Sequence, residues 1–344
     1  MSREGLEFGL RISDFGFRIC AFAAAICLLF SPVLAQRTVA RIPVAGDSLL
    51  LKLDVCLQPQ VYYSHQADYM AMTPLVSEEL GFSRVASLAG LTAELTRHLS
   101  ARFYGDLGDI KGKPVLDLYA RAGGRGLSLQ LGQFRPPLSS EVLTQPWNSD
   151  FVDYSLIART STPTGDFRDI GAQLAYRRES FLAALAAVNG NGRETRDNNR
   201  FKDIVGRIVA TPFGSIGPYL GGHVYLGSDT LAGNSLNRPF RRYSGELGLN
   251  TRVMLLRAEL VKGTSINGFN TALGFRTGNV QPVVRFERVV DEVSNLPVNI
   301  LTFGLNGFFA DDAVKPMLDF SWTSDKVREQ ETFKLTFQLQ AAFW

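Results

Sequence analysis

The sequence predicts an all-β fold, a sixteen-stranded antiparallel β-barrel that crosses a membrane. Residues 332–344 read TFKLTFQLQAAFW and place large apolar side chains at every second position, which is the period of a strand whose two faces meet different surroundings. A soluble strand usually has roughly 5 to 6 residues, whereas a tilted membrane strand needs about 9 to 11, and this run is long enough to cross. The other two observations are an even number of predicted strands and connections that alternate in length. The alternative for the last strand is the edge of a soluble sandwich.

The overall composition excludes two broad classes of protein. Apolar residues make up 45% of the chain and the mean hydropathy is +0.02. Beyond the N-terminus, no apolar run approaches the about 18 residues of a membrane-spanning helix. With 24 Phe and 10 Tyr, the chain is too rich in aromatic residues for a disordered protein. A net charge of +3 without a basic stripe does not indicate a nucleic-acid partner.

The N-terminus has the pattern of a secretory signal peptide. Residues 18–36 read RICAFAAAICLLFSPVLAQ, a basic flank followed by an apolar stretch and a small-residue cleavage site. We therefore expect residues 1–35 to be removed and residues 36–344 to form a single barrel domain. Cys20 and Cys27 leave with the leader, so Cys56 has no partner for an intrachain disulfide. One cysteine and three scattered histidines do not match the spacing of a metal site, and we expect neither a metal nor a cofactor.

Sixteen strands follow the leader, and no segment of any length has a helical period. The predicted ranges are 50–63, 82–95, 100–108, 114–122, 127–135, 169–177, 181–188, 202–211, 216–226, 242–250, 252–262, 269–275, 281–289, 298–309, 315–323 and 332–343. Closing such strands into a barrel leaves no unpaired edge, which the hydrocarbon of a bilayer requires.

The connections between these strands alternate between short and long. Short ones include residues 123–126, 177–180, 212–215 and 310–313, and long ones include residues 64–81, 136–168, 189–201 and 227–241. Outer-membrane barrels have short turns on the periplasmic rim and longer loops on the outer rim. If the C-terminus is periplasmic, the short set is periplasmic as well.

Two blocks of the sequence resemble a known family. Residues 129–160 read LQLGQFRPPLSSEVLTQPWNSDFVDYSLIART, and residues 186–213 read AAVNGNGRETRDNNRFKDIVGRIVATPF. Both are similar to the phosphate-selective porin O and P family, in which a Gly-Gln-Phe-basic-x-Pro strand end leads into a long loop. The resemblance implies a trimeric, sixteen-stranded porin in the outer membrane of a diderm bacterium. It also implies that the third outer loop folds into the lumen and that small anions such as phosphate pass through.

The connection 136–168 follows the fifth predicted strand, so it is the third loop on the long side. Pro136 and Pro137 stop strand pairing at its start. Trp147, Phe151 and Tyr154 are large enough to pin the loop to the wall. We expect an inward fold, and the alternative is a long surface loop.

Basic side chains share the strand face opposite the leucines, which places them in the lumen or at its rims. They are Arg121, Arg177, Arg207, Arg257, Arg285, Lys315 and Lys334. Arg135 and Arg159, near the ends of the third loop, are the basic groups expected nearest a constriction. Such groups replace part of the hydration of an anion and raise its local concentration. Five carboxylates share the same face and are able to pair with the arginines: Asp117, Glu246, Glu259, Glu287 and Asp319.

These observations predict a passive, anion-preferring outer-membrane porin that is no enzyme. Its partners would be small hydrophilic anions, outer-membrane lipid, two further copies of the chain, and the barrel assembly machinery, which would recognise the C-terminal strand. Two alternatives remain: a non-selective or cation-preferring porin of the same fold, and a blocked barrel that acts as an anchor or adhesin. A barrel hydrolase would need an inward Ser, His and acid together, and His223 is the one histidine with an inward strand position.

Overall fold

The computed structural model describes residues 39–44, 47–69, 75–109, 112–197, 200–214, 217–229, 238–251, 253–264 and 266–343. The signal peptide predicted for residues 1–35 lies outside these ranges.

The described residues form seventeen strands. They are β1 Val39–Val44, β2 Asp47–Asp68, β3 Leu75–Thr96, β4 Leu99–Asp106, β5 Val115–Gly124, β6 Leu127–Phe134, β7 Asp169–Arg178, β8 Phe181–Val188, β9 Asp203–Ala210, β10 Gly217–Asp229, β11 Arg238–Asn250, β12 Met254–Gly263, β13 Ile266–Phe275, β14 Val280–Asp291, β15 Pro297–Gly307, β16 Val314–Asp325 and β17 Gln330–Phe343. The helices are short: α1 is Ser140–Leu143, α2 is Leu156–Arg159, and single 3-10 turns span Leu107–Asp109 and Pro146–Asn148. None of the helices in the described ranges is long and apolar enough to cross a membrane.

Strands β2 to β17 form a closed antiparallel barrel of sixteen strands, as predicted. Each strand pairs with the next, and β17 pairs back onto β2 from Gln330↔Asp68 to Phe343↔Val55. The short strand β1 was not predicted. It pairs with the first residues of β2, just beyond the point where β17 ends.

One long connection was predicted wrongly. Much of the segment 64–81 is strand, because β2 continues to Asp68, β3 begins at Leu75, and the two pair from Ser64↔Glu79 to Asp68↔Leu75. Polar residues occupy both faces here, for example His65 and Gln66 on β2. The alternation that marks a strand is therefore lost, although the backbone still pairs.

The alternation of connection lengths holds for only part of the barrel. Residues 135–168, which we call the third loop, form the longest connection on the long-loop rim. The last three connections on the same rim are as short as turns, because residues 264–265, 292–296 and 326–329 suffice to join β12–β13, β14–β15 and β16–β17.

The barrel has its polar residues inside and its apolar residues outside, which is the reverse of a soluble protein. On β9, Arg207 is 6% exposed and faces the interior, whereas its neighbour Ile208 is 58% exposed and faces outward. The same contrast repeats around the barrel. Exposed apolar residues include Leu118, Leu131, Leu185, Leu220, Leu247, Leu260, Leu273, Phe303 and Phe320. An apolar exterior around a polar interior is the pattern of a barrel that crosses a bilayer.

Candidate functional site

The third loop turns inward at the end of β6. Gly132 has a φ of +128°, and a Cβ there would collide with the backbone of β5, so the position requires glycine. Gln133 and Phe134 are both buried although they are consecutive, which shows that the regular alternation ends here. Pro136 and Pro137 follow and cannot donate to a strand ladder. The chain therefore leaves the wall and enters the lumen.

Apolar packing holds the first part of the loop against β8 and β9. Leu138, Val142 and Ala158 are fully buried in one cluster with Val188 and Val205. The predicted inward fold of the third loop is confirmed.

The aromatic side chains of the loop pack in three places. The rings of Trp147 and Tyr104 meet edge to face at 6.3 Å, and Trp147 shares a buried cluster with Cys56. The guanidinium carbon of Arg285 lies over the ring of Phe151, 4.5 Å from the centroid of that ring. Tyr154 stacks edge to face on Phe167 of the same loop at 4.7 Å. Trp147 and Phe151 thus contact the wall, and Tyr154 stabilises the loop itself.

Side chains of β15, β16 and β17 make hydrogen bonds to backbone amides and carbonyls in the middle of the loop. Lys315 Nζ donates to the carbonyl oxygens of Trp147 (3.3 Å) and Ser149 (2.6 Å). Asn306 Nδ2 donates to the carbonyl oxygen of Asp150 at 2.8 Å, and the amide of Val152 donates to Asp319 Oδ2 at 2.8 Å. Further contacts come from Gln340 on β17 and Gln58 on β2. Irregular backbone inside a barrel needs such partners, because buried amides and carbonyls are costly when unpaired.

Glu141 joins the two halves of the loop. Its carboxylate accepts hydrogen bonds from the amide and the hydroxyl of Ser155, both at 2.7 Å. Arg285 reaches the same carboxylate at 3.5 Å and the carbonyl oxygen of Asp153 at 2.9 Å. Glu287 accepts a hydrogen bond from the amide of Leu156. Arg285 and Glu287, both on β14, therefore fix the start of α2.

Six of the nine basic residues singled out in the sequence hold the loop. Arg207, Arg285 and Lys315 are buried, with Arg207 bonded to Ser140 and Glu246. The other three contact the loop through carboxylates or carbonyls: Arg257 lies 3.6 Å from Asp150, Lys334 lies 2.8 Å from Asp153, and Arg135 donates to the carbonyls of Val142 (2.8 Å) and Thr144 (2.7 Å).

The remaining three, Arg121, Arg159 and Arg177, are exposed. Arg121 Nε donates to Gln130 Oε1 at 3.0 Å across the β5–β6 ladder. Arg159 is the last residue of α2, whose Ile157 and Ala158 are buried, so Arg159 occupies the open side of the helix. Arg177 lies near the short-turn end of β7 on the inward face. Within the described part of the chain, no ion pair joins any of these three to a carboxylate.

The five inward carboxylates are all buried. Asp117, Glu246, Glu259, Glu287 and Asp319 have between 1% and 7% of their surface exposed. Asp117 pairs with Arg168 at 2.8 Å, Glu246 with Arg207 at 2.5 Å, and Glu287 with Arg285 at 2.9 Å. Glu259 accepts a hydrogen bond from Ser244 at 2.8 Å. These five carboxylates are therefore buried and hydrogen bonded, whereas Arg121, Arg159 and Arg177 are exposed.

Sequence reasoning missed several groups that build this site. Glu141, Asp150 and Asp153 lie in the third loop, where no periodicity indicates which way a side chain points. Arg242 bonds the carbonyl of Thr160 from the wall. A signal for Arg242 was present, since it lies four residues before Glu246 on the same strand and therefore on the same face.

No metal or hydrolase site is assembled in the described residues. No group of three or more His, Cys, Asp or Glu side chains there is arranged to hold a metal ion. His223 is buried and faces inward, opposite Arg207 on β9 and Ser244 on β11. Neither of its ring nitrogens makes a hydrogen bond to another described residue, so no serine and acid are linked through it.

Comparisons with known proteins agree with this architecture. The sequence profile described as phosphate-selective porin O and P matches residues 79–252, just over half of the chain. A search of curated proteins finds no match.

Solved structures of porins and outer-membrane channels share the fold at low sequence identity. An anion-selective porin from Comamonas acidovorans has a TM-score of 0.66 and 12% identity, covering 86% of this chain and 100% of that one. The outer membrane channel DcaP of Acinetobacter baumannii has a TM-score of 0.63 and 9% identity, covering 88% and 100%. The trimer form of OmpT from Vibrio cholerae has a TM-score of 0.57 and 11% identity, covering 86% and 100%. From the family match and the closed barrel, we conclude that this chain belongs to the phosphate-selective porin O and P family and is an outer-membrane β-barrel protein.

Proposed function

We propose that this porin is a passive diffusion channel that prefers small hydrophilic anions. The proposal rests on a difference in burial between basic and acidic side chains that face the lumen. Arg121, Arg159 and Arg177 are exposed and in no ion pair with another described residue. By contrast, the five inward carboxylates described above are buried and hydrogen bonded, and Asp153 of the third loop is paired with Lys334. An anion in the water-filled path meets guanidinium groups first.

Pairing with arginines explains why three of the buried carboxylates, Asp117, Glu246 and Glu287, do not cancel this preference. A carboxylate bonded to an arginine acts on distant ions as a dipole, whereas an unpaired guanidinium acts as a full charge. At physiological salt the field of a charge extends about 8 Å, so groups at the edge of the path outweigh groups behind the third loop. The selectivity named for the Comamonas acidovorans porin and the description of the family support the same direction. Phosphate itself is inferred from that family description.

The test is the reversal potential of the channel in a planar bilayer under a potassium chloride gradient. We expect an anion-side value for the native protein, and a shift toward zero or the cation side in the triple variant Arg121→Ala, Arg159→Ala, Arg177→Ala. The matched control is Arg288→Ala, because Arg288 is exposed on the outer face of β14. A cation-side value for the native protein would refute the anion preference and leave the porin assignment intact.

A titration of phosphate into the chloride solution tests whether phosphate is a solute of the channel. If phosphate binds in the lumen, it reduces the chloride current of the native protein. If phosphate never blocks the current, phosphate selectivity is refuted.

A blocked barrel is the second candidate, and the contacts of the third loop favour it. The loop is bonded to side chains of β2, β9, β11 and β12, and to each strand from β13 to β17. Single-channel recording separates the two, since a blocked barrel gives no conductance steps.

We infer that the protein matures and assembles like other porins. The proposal is that residues 1–35 are removed, that β17 is recognised by the barrel assembly machinery, and that three copies associate. The trimer form of OmpT supports the last point. The intact mass of the purified protein checks the cleavage, and light scattering in detergent checks the trimer. A mass that includes residues 1–35, or a monomer, would contradict these inferences.

A further inference from the structure

The outer surface of the barrel carries an apolar groove across β7 to β10. Small residues, namely Ala183, Gly206 and Gly222, form its floor. Exposed side chains form its walls, among them Leu174 (48%), Leu185 (57%), Ile208 (58%) and Leu220 (63%). All of these lie on the lipid-facing side of their strands, opposite the buried inward residues.

Two glycines leave the floor of the groove open for different reasons. At Gly222 a Cβ would lie 2.7 Å from the carbonyl oxygen of Ser244, so no larger residue fits, whereas Gly206 has room for one. A Cβ on Gly206 would lie 3.4 Å from Val224 Cγ1 and 3.8 Å from Leu185 Cδ1, which is ordinary van der Waals contact. Gly245, which pairs with Gly222 across the β10–β11 ladder, has open space where its Cβ would be. Glycine weakens a strand interior and often marks a close approach by another group. A larger residue would fit at Gly206, so the depression is available to a ligand.

Two arginines lie on the short-turn rim next to the groove, in an adjoining depression that shares Tyr176 with the groove and reaches Ser140 and Arg207. Leu127 and Tyr176 line the groove and pair across β6 and β7. Next to them lie Arg125, in the β5–β6 turn, and Arg178, the last residue of β7, and both are exposed. Arg178 follows Leu174 and Tyr176 at every second position, which places it on the lipid-facing side. The ring of Tyr176 suits the boundary between hydrocarbon and water.

We propose that this groove binds an anionic phospholipid of the periplasmic leaflet. An acyl chain lies along the glycine floor, and the phosphate is held between Arg125 and Arg178. Guanidinium groups match phosphate oxygens in geometry and charge, and a lipid carries its phosphate at the depth where the hydrocarbon ends. A second copy of the barrel would have to bring a carboxylate to that depth, so charge complementarity favours the lipid. This site is independent of the channel function.

The test is lipid binding to the intact porin in non-ionic detergent, measured by native mass spectrometry with phosphatidylglycerol and phosphatidylethanolamine. We expect the native protein to bind phosphatidylglycerol about 30-fold more tightly, since each of the two arginines contributes about 1 kcal/mol near the surface. The double variant Arg125→Gln, Arg178→Gln should lose this preference. Gly206→Leu, which fills the groove, should weaken the binding of both lipids.

Two control variants separate the groove from general membrane effects. Arg97→Gln removes an exposed arginine from the β3–β4 turn, and Thr271→Leu enlarges an exposed residue on the outer face of β13. Both should bind lipid as the native protein does, and heat-modifiable gel mobility should show that every variant is folded. Equal affinity of the native protein for the two lipids would overturn the proposal. So would a Gly206→Leu variant that binds lipid normally but no longer forms the native oligomer, because the groove would then be covered by a second copy.

Discussion

Arg135 begins the third loop and Arg159 lies in its last third, and the sequence predicts both to be near a constriction. Their surroundings differ. Arg135 is half-buried and bonded to the carbonyls of Val142 and Thr144, whereas Arg159 is exposed at the end of α2. Burial lowers the pKa of Arg135, and the charge of the nearby Arg168 lowers it further. Charge and position in the sequence do not distinguish the two residues, because the partners of Arg135 are backbone carbonyls that any sequence would provide.

Alanine substitutions at these two positions should separate a structural role from a role in conduction. Arg135→Ala leaves two carbonyls of the loop without a donor, at a cost of about 1–3 kcal/mol, and we expect a lower unfolding midpoint in denaturant. Arg159→Ala removes an exposed charge, and we expect an unchanged midpoint and a smaller anion preference. Denaturant titration followed by tryptophan fluorescence, together with reversal potentials, checks both. Equal unfolding midpoints for the two variants would contradict the structural role of Arg135.

The third loop is an element without regular structure, and the wall supplies the hydrogen bonds that a helix or strand would supply itself. The proline pair and the aromatic residues were sufficient to predict that the loop leaves the sheet and packs inward. They were not sufficient to predict its partners, since Lys315, Asn306 and Asp319 lie roughly 150 to 170 residues further along the chain. Such contacts depend on the closure of the barrel.

Lys315 is the best single probe of this anchoring. In Lys315→Met, the carbonyls of Trp147 and Ser149 lose their shared donor, while a side chain of similar length preserves the packing. Hydrogen bonds from charged groups contribute about 1.5–3 kcal/mol, so we expect faster cleavage of the loop by protease and noisier single-channel current. The control is Lys262→Met, an exposed lysine on β12. Identical cleavage rates for native protein and Lys315→Met would show that the loop is held elsewhere.

At the scale of the whole molecule, closure leaves an apolar exterior in contact with lipid. Leu260, which lies three residues before the long-loop end of β12, is 66% exposed, and Leu99, at the β3–β4 turn, is 41% exposed. The same apolar side chain thus occurs at two depths of the barrel. Exposed leucines would be unfavourable in water in such numbers, and they indicate hydrocarbon around the barrel.

A leucine-to-arginine exchange at these two depths measures the position of the bilayer. Leu260→Arg should destabilise the barrel by about 2–4 kcal/mol, and Leu99→Arg by about 0–1 kcal/mol, because the cost of a charge falls toward the interface. Equilibrium unfolding from liposomes gives both values. If the two variants were equally stable, the assigned depth of β12 in the membrane would be wrong.

The sequence by itself determined the sixteen strands of the barrel and the face on which most side chains lie, because alternation is a local property that adjacent residues display. The predicted strands all correspond to strands of the barrel. The inward position of the five carboxylates follows from the alternation of faces along each strand. Tertiary structure decided which inward charges remain open to the lumen. Arg207 and Arg121 both lie on the inward face of their strands, yet Arg207 is buried against Ser140 and Glu246 while Arg121 is exposed. The physical reason is that the third loop covers one part of the wall and leaves another part open, and its path depends on contacts between residues far apart in the chain.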